Sequence, residues 1–253
     1  MAAKYIVVAN WKMHPSTLRE ARKLFDATRK IAEKASKVST ILAPSSLHLL
    51  PLSSEYKGKK LQFAAQNARE GDEGAFTGDI SVGQVEDSKA EYLLVGHAER
   101  RERGETNDDT RQKVASALAH GLTPILCVGE RVRSASGEHF TFVREQLKAG
   151  FQSFEHNAAH TGMVAYETVW AIGSEEAMSP RSMHEMAIFI RKTIVELHGA
   201  KGEKLKILYG GAVNQENAAH MLLYGDVVGL LVGRASVDPK EFALLIESVQ
   251  QNG

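Results

Sequence analysis

The sequence predicts an α/β fold, a single (β/α)8 barrel formed by residues 1–253, and three observations carry that reading. Eight short apolar, β-branched runs recur along the chain, helical periodicity with start signals fills most of the gaps between them, and no shift in composition marks a linker. Eight units of roughly thirty residues match the size of such a barrel; an open doubly wound sheet is the alternative that periodicity leaves standing.

The strand candidates are Tyr5 to Ala9, Thr40 to Ala43, Leu61 to Ala65, Tyr92 to Val95, Pro124 to Val128, Met163 to Tyr166, Lys206 to Tyr209 and Gly229 to Val232. After the first of them, Leu18, Ala21, Leu24, Phe25, Thr28, Ile31 and Ala32 share one helical face, and Thr17 with Glu20 has the spacing of a capping box. Ser179 and Pro180 fit the N-cap and first helical position before Met183, Met186, Ala187, Ile190 and Ile194. Asp238 and Pro239 do the same before Phe242, Leu245, Ile246 and Val249. Helix signals after the second and third strands are weaker. The stretch from Asn67 to Asp87, with Gly71, Gly74, Gly78 and Gly83, shows no helical face and reads as a long engaged loop.

Composition narrows the function classes. With 43% hydrophobic and 25% charged residues the chain has the makings of an ample core. Lys plus Arg equals Asp plus Glu at 31 each, so no global field favours nucleic acid or an anionic membrane. One cysteine, Cys127, leaves no internal disulfide framework, and no Cys/His cluster has metal-ligand spacing, so neither metal nor cofactor is expected. Cys127 itself, with no partner base nearby, reads as a buried structural thiol. The opening M-A-A-K-Y-I-V-V-A-N has too short an apolar run for a signal sequence or a membrane span, and a cytoplasmic location is expected.

In a barrel of this kind chemistry sits where strands end. Strand one ends in Asn10 and Lys12, strand three in Gln66 and Asn67, strand four in His97 and Glu99, strand five in Cys127 and Glu130, and strand six in Glu167. Strands seven and eight end in Gly210-Gly211 and Gly233, where backbone amides can approach an anion closely. Glu167 has apolar neighbours on both sides in Y-E-T-V-W-A-I-G, which can raise a carboxylate's pKa toward neutrality and suits a base that must return its proton. Lys12, His97 and Glu167 over one pocket would abstract a proton beside a carbonyl and stabilise the charge that develops on oxygen. Taken singly, each has a plainer reading: a solvated lysine, a structural histidine, a salt-bridged strand-end acid, ordinary turn glycines. The run from His97 to Gly104 reads as a loop whose geometry an ion-pair network can fix. His120, His156 and His220 have no acid at useful spacing and read as surface or packing residues.

At these residues the sequence resembles the triosephosphate isomerase family along nearly its whole length. The resemblance is carried by A-N-W-K-M at 9–13, Q-N at 66–67, G-A-F-T-G-D-I-S at 74–81, V-G-H-A-E-R-R at 95–101 and C-V-G-E at 127–130. A-Y-E-T-V-W-A-I-G at 165–173, Y-G-G-A-V at 209–213 and L-V-G-R-A-S at 231–236 complete it. The family gives its name to the TIM barrel and is itself a standing illustration of a Glu base paired with a neutral His beneath a closing loop. The resemblance implies interconversion of glyceraldehyde 3-phosphate and dihydroxyacetone phosphate through an enediol(ate), a step of glycolysis and gluconeogenesis, with no cofactor. Glu167 would be the base, His97 the electrophile, Lys12 the electrostatic stabiliser, Asn10 a substrate contact and Glu99 a supporting acid. Backbone amides at Gly173, Ala212, Gly233 and Arg234 would hold the phosphate. It also implies a homodimer in which the loop around Thr77 docks beside the partner's pocket.

Several positions depart from the family's pattern. Thr168 stands where the family has proline after the base, and Ala98 and Ala212 replace serines. Ser174, Glu175, Glu176 and Ala177 replace a Thr-Gly-Lys stretch and the residue after it in the lid, while Arg234 replaces the second glycine of the last phosphate loop. Acids at 175 and 176 are expected to oppose an entering dianion and lower kcat/KM, by an amount that salt screens, and Arg234 can offset them. Two other readings therefore stand beside the isomerase. One is another phosphate-binding barrel, such as an aldose-ketose isomerase of amino-acid biosynthesis, against which the lack of a second acid opposite Glu167 counts. The other is a non-catalytic barrel with an altered phosphate lid, against which the joint presence of Asn10, Lys12, His97 and Glu167 counts.

Overall fold

The computed structural model of the protein describes residues 3–134, 136–155, 159–171 and 177–252. Its strands are β1 (Tyr5–Asn10), β2 (Val38–Ala43), β3 (Leu61–Ala65), β4 (Tyr92–Val95), β5 (Thr123–Val128), β6 (Met163–Tyr166), β7 (Lys206–Tyr209) and β8 (Gly229–Val232). All neighbours pair in parallel and in sequence order, and β8 returns to β1 with Ile6 opposite Gly229 and Ala9 opposite Val232. That last register closes the barrel and removes the open sheet as an alternative. The helices are α1 (Leu18–Lys34), α2 (Ser46–Glu55), α3 (Val82–Asp87), α4 (Ala98–Glu102), α5 (Asn107–Ala119), α6 (Glu138–Phe151), α7 (Pro180–His198), α8 (Ala218–Tyr224) and α9 (Pro239–Asn252). None of the described helices is long and apolar enough to cross a membrane.

Because side chains alternate along a strand, each strand feeds two apolar layers. Val8, Ile41, Ala64, Leu94, Ile125, Cys127, Met163, Ala165, Leu208 and Leu231 fill the barrel interior, while their neighbours Val7, Leu42, Phe63, Val95, Leu126, Val164, Ile207 and Val232 pack outward under the helices. This two-sided burial is why the strands read as continuous apolar runs. It also sets the phase at each strand's C-terminal end, since a residue two positions beyond an interior one faces the barrel mouth.

The expected helix signals meet their structural partners. Thr17 caps α1 by accepting from the Glu20 backbone N–H, although the Glu20 carboxylate takes the Thr17 hydroxyl and not the backbone N–H of a reciprocal box. Ser179 caps α7 with Pro180 at its first turn, and Asp238 Oδ1 accepts from the backbone of Lys240 and Glu241 at the start of α9. Two expectations are corrected. The stretch 67–87 does carry a helix at its end, α3, held by a true capping box in which Ser81 and Gln84 satisfy each other's backbone N–H groups. Six residues are too few to show a helical face. His120 does have an acid, Asp72, 2.8 Å from Nε2, brought in by a loop distant in sequence. Its Nδ1 faces the Ser116 carbonyl at 2.9 Å, so both ring nitrogens meet acceptors and the ring's pKa is raised, by that carbonyl first and by Asp72 next. His220 faces Tyr224, and His156 lies outside the described residues.

Candidate active site

Asn10, Glu167, Gly210 and Gly233 each stand two residues beyond an interior side chain of their strand, which brings all four to the barrel mouth. His97 arrives differently. Gly96 has a positive φ of 74°, a conformation that favours glycine, and this turn breaks the alternation of β4 so that His97 also faces the mouth as N-cap of α4. All of these residues except Gly96, with Lys12, line one cavity of about 610 Å³.

Within it the sequence-expected catalytic side chains are in contact. His97 Nε2 lies 3.0 Å from Glu167 Oε1, and the other carboxylate oxygen accepts from the Ala98 backbone N–H at 2.8 Å. The Glu99 backbone N–H donates to His97 Nδ1 at 3.3 Å. An accepting Nδ1 fixes the tautomer of a neutral ring, placing the proton on Nε2 where it meets the carboxylate. Lys12 Nζ donates to Glu99 Oε1 at 2.6 Å, so Glu99 sits behind the ammonium as its counter-charge. Asn10 acts on Lys12 as well, since its Oδ1 accepts the Lys12 backbone N–H at 3.0 Å.

Burial pushes the pKa of both acids upward, and their partners send the two in opposite directions. Glu167 is only 3% exposed, and burial pushes its pKa up; His97, the Ala98 N–H and Lys12 oppose that shift without cancelling it. For Glu99 burial again pushes upward, but the hydrogen bond and charge of Lys12 outweigh it and hold the carboxyl below its usual range. One acid is thus tuned to exchange a proton and the other to stay ionised. The Cys127 thiol, wholly buried, is pushed well above its ordinary value by burial and next by the charge of Glu167, which makes it inert.

Gly211, Ala212, Gly233 and Arg234 line the same cavity. Among the described residues no protein acceptor takes any of their four backbone N–H groups. The glycines are there for space: a Cβ on Gly233 would stand 3.3 Å from Lys12 Cε, and one on Gly210 3.1 Å from Glu167 Cγ. The expected Gly173 contact, like Ser174, Glu175 and Glu176, lies outside the described residues. Thr168 is fully buried, with its hydroxyl and that of Tyr209 both beside the Cα of Gly211.

Other residues support the site through contacts that sequence reading did not assign. Gln66, at a strand end but given no role, donates from Nε2 to the carbonyls of Lys12 and Ala43, each at 2.8 Å. It braces Lys12, whose φ of 53° is unfavourable for a side-chain-bearing residue. Glu130 accepts from the Tyr166 hydroxyl at 2.7 Å and from the Trp170 indole N–H at 3.1 Å, joining the ends of β5 and β6. The charge run after His97, expected as a loop, is helical over Ala98–Glu102 as α4, and its ion pairs go largely to residues outside it. Glu105 takes Arg100 at 3.1 Å and the buried Lys113 at 3.3 Å, and Lys113 reaches on to Asn67 at 2.8 Å. Arg101 instead donates to the carbonyl of Gly96 and to Asn107. The strand-end position of Gln66 and the short polar run at 105–107 were the available signals; the contacts of Gln66 with Lys12, Glu130 with Tyr166 and Lys113 with Asn67 join residues tens of positions apart and had none.

Comparison with known proteins agrees with this geometry. A family model described as triosephosphate isomerase matches residues 5–249. The chain is similar to a triosephosphate isomerase of Endomicrobium trichonymphae, 35% identical over 246 residues that cover 96% of this chain and 98% of the relative. It is equally similar to that of Aquifex aeolicus (strain VF5), 35% identical over 247 residues covering 96% and 98%.

Proposed function

The chain belongs to the triosephosphate isomerase family, and from that premise we propose how its residues interconvert glyceraldehyde 3-phosphate and dihydroxyacetone phosphate. The protein is an aldose-ketose isomerase, and the observation that carries its mechanism is the buried Glu167 carboxylate 3.0 Å from the proton-bearing Nε2 of His97, in one cavity with Lys12. Glu167 removes the proton from the carbon beside the substrate carbonyl. His97 Nε2–H and the Lys12 ammonium meet the oxygen on which negative charge then builds. His97 Nε2 gives that oxygen its proton and takes the hydroxyl proton from the neighbouring oxygen, which becomes the new carbonyl as Glu167 returns its proton to the former carbonyl carbon. In the free enzyme the His97 proton is spent on Glu167, so a carbonyl that takes it over leaves the carboxylate free to act as base. Glu99 keeps Lys12 in place, and Asn10 touches the substrate as well as the Lys12 backbone. The unspent amides of Ala212, Gly233 and Arg234, with Gly173, hold the phosphate. A coupled assay of purified protein tests this reading: turnover of glyceraldehyde 3-phosphate is expected, and none at micromolar enzyme would sink it.

A homodimer is part of the same proposal, in a cytoplasmic setting. Residues 71–79 around Thr77 are exposed throughout, and the apolar side chains of Met13, Leu47 and Phe76 stand out from the chain after β1, β2 and β3 with 89%, 87% and 48% exposure. Apolar groups so presented at one end of adjacent strands are what a second copy would cover. Sedimentation at micromolar concentration is expected to give a dimer; a fully active monomer would contradict it.

A further inference from the structure

The cavity's balance of charge points to one side chain. Among the described residues three carboxylates, Glu167, Glu216 and Glu241, line it against two cations, Lys12 and Arg234. Lys12 is already matched by Glu99 at 2.6 Å. Arg234 begins the 3₁₀ turn Arg234–Ser236 immediately after Gly233, is exposed, and among the described residues has no ion-pair partner and no side-chain hydrogen bond. A dianion entering this cavity comes within a Debye length, about 8 Å at physiological ionic strength, of acids that its own charge repels. The backbone amides bring only partial charges, and the alanine at 212 brings no hydroxyl. The full positive charge left to offset those acids is the Arg234 guanidinium.

Building on the isomerase reading above, we propose that the Arg234 side chain is a specificity-determining ligand of the substrate's phosphate, its planar N–H fork donating to two phosphate oxygens beside the amides of Gly233 and Arg234. A guanidinium suits this position because it stays charged and matches two oxygens at once. It makes recognition depend on the dianion's charge as well as on the fit of the backbone cradle.

The test uses inorganic phosphate as the probe, by thermal-shift titration and by competitive inhibition, on the wild type, Arg234→Gln and Arg234→Lys. Loss of a charge-assisted contact is expected to weaken phosphate binding roughly ten- to hundredfold in Arg234→Gln, with Arg234→Lys in between because it keeps the charge and loses the fork. KM for glyceraldehyde 3-phosphate should rise by a similar factor while kcat changes much less, and the difference from wild type should shrink in high salt. The melting temperature without phosphate serves as the folding control, since the side chain is exposed. Phosphate affinity unchanged in Arg234→Gln overturns the proposal, and wild-type turnover in the same preparation would leave the isomerase reading standing. A wild type without turnover removes that reading instead, and the phosphate titration still decides whether Arg234 is an anion ligand.

Discussion

Glu167→Gln is expected to lower kcat on the order of 10³-fold, because an amide cannot take the substrate's proton and general-base catalysis commonly contributes that much. KM should change far less, since the proposed phosphate contacts come from other residues. Glu167→Asp keeps a base but draws it back by about 1 Å, and a loss on the order of 10²-fold is expected. The pH profile separates these effects from misfolding. The proposed mechanism needs the ionised carboxylate, and burial raises its pKa above the ordinary 4.5, so the acid limb of kcat/KM should lie higher than a solvent-exposed glutamate would place it. Stability runs the other way. A carboxyl whose folded pKa is raised contributes stability that is fully present below its unfolded value and is lost as pH climbs through the folded value. Denaturant titrations from pH 4.5 upward should therefore show the wild type losing a component of stability that Glu167→Gln does not lose. A variant with wild-type kcat would remove Glu167 from the mechanism.

The second large effect is expected from a residue without a side chain. Gly129 lies where β5 passes β6, and a Cβ there would overlap the Glu167 carbonyl oxygen and sit 2.9 Å from its carbon. The amide of Gly129 is meanwhile fixed by Gln146 at 2.8 Å, and the Glu167 backbone N–H by the Val128 carbonyl at 2.7 Å, so neither strand has room to yield. Gly129→Ala should destabilise the fold by about 3 kcal/mol, the upper end of ordinary overpacking. It should also cut kcat about 10²-fold, because the backbone that must move carries Glu167, the proposed base. Gly121→Ala is the control: its φ of 69° strains an alanine, but no atom stands within 4 Å, and about 1 kcal/mol with normal activity is expected. Chemical denaturation and the coupled assay measure both. Normal kinetics in Gly129→Ala would show that β6 adjusts without moving Glu167.

Much of the fold, and which residues stand at the barrel mouth, was legible in the sequence because the signals are local. An apolar run of four to six residues names a strand, and Ser179-Pro180 or Asp238-Pro239 names a helix start, from contacts within a few residues. The phase of the same runs carries Asn10 and Glu167 to the barrel mouth, so their placement could be read before any geometry. Other features left no such trace. The short α3 offers too few residues for periodicity, and Asp72 on His120 or Asn67 on Lys113 joins positions distant along the chain. His97 reaches the site through the turn at Gly96, and the strained backbone of Lys12 is held by Asn10 and by Gln66, which reaches across from the end of β3.

The sequence by itself determined the alternation of strands and helices, the caps, and which carboxylate, imidazole and ammonium stand at strand ends, since each depends on neighbours along the chain. Only the tertiary structure decided that β8 closes on β1, that Glu99 and Lys12 meet across 87 residues, and that Glu167 is the acid raised while Glu99 is the acid lowered. Those outcomes rest on register, burial and distance between remote segments, which exist only once the barrel has closed.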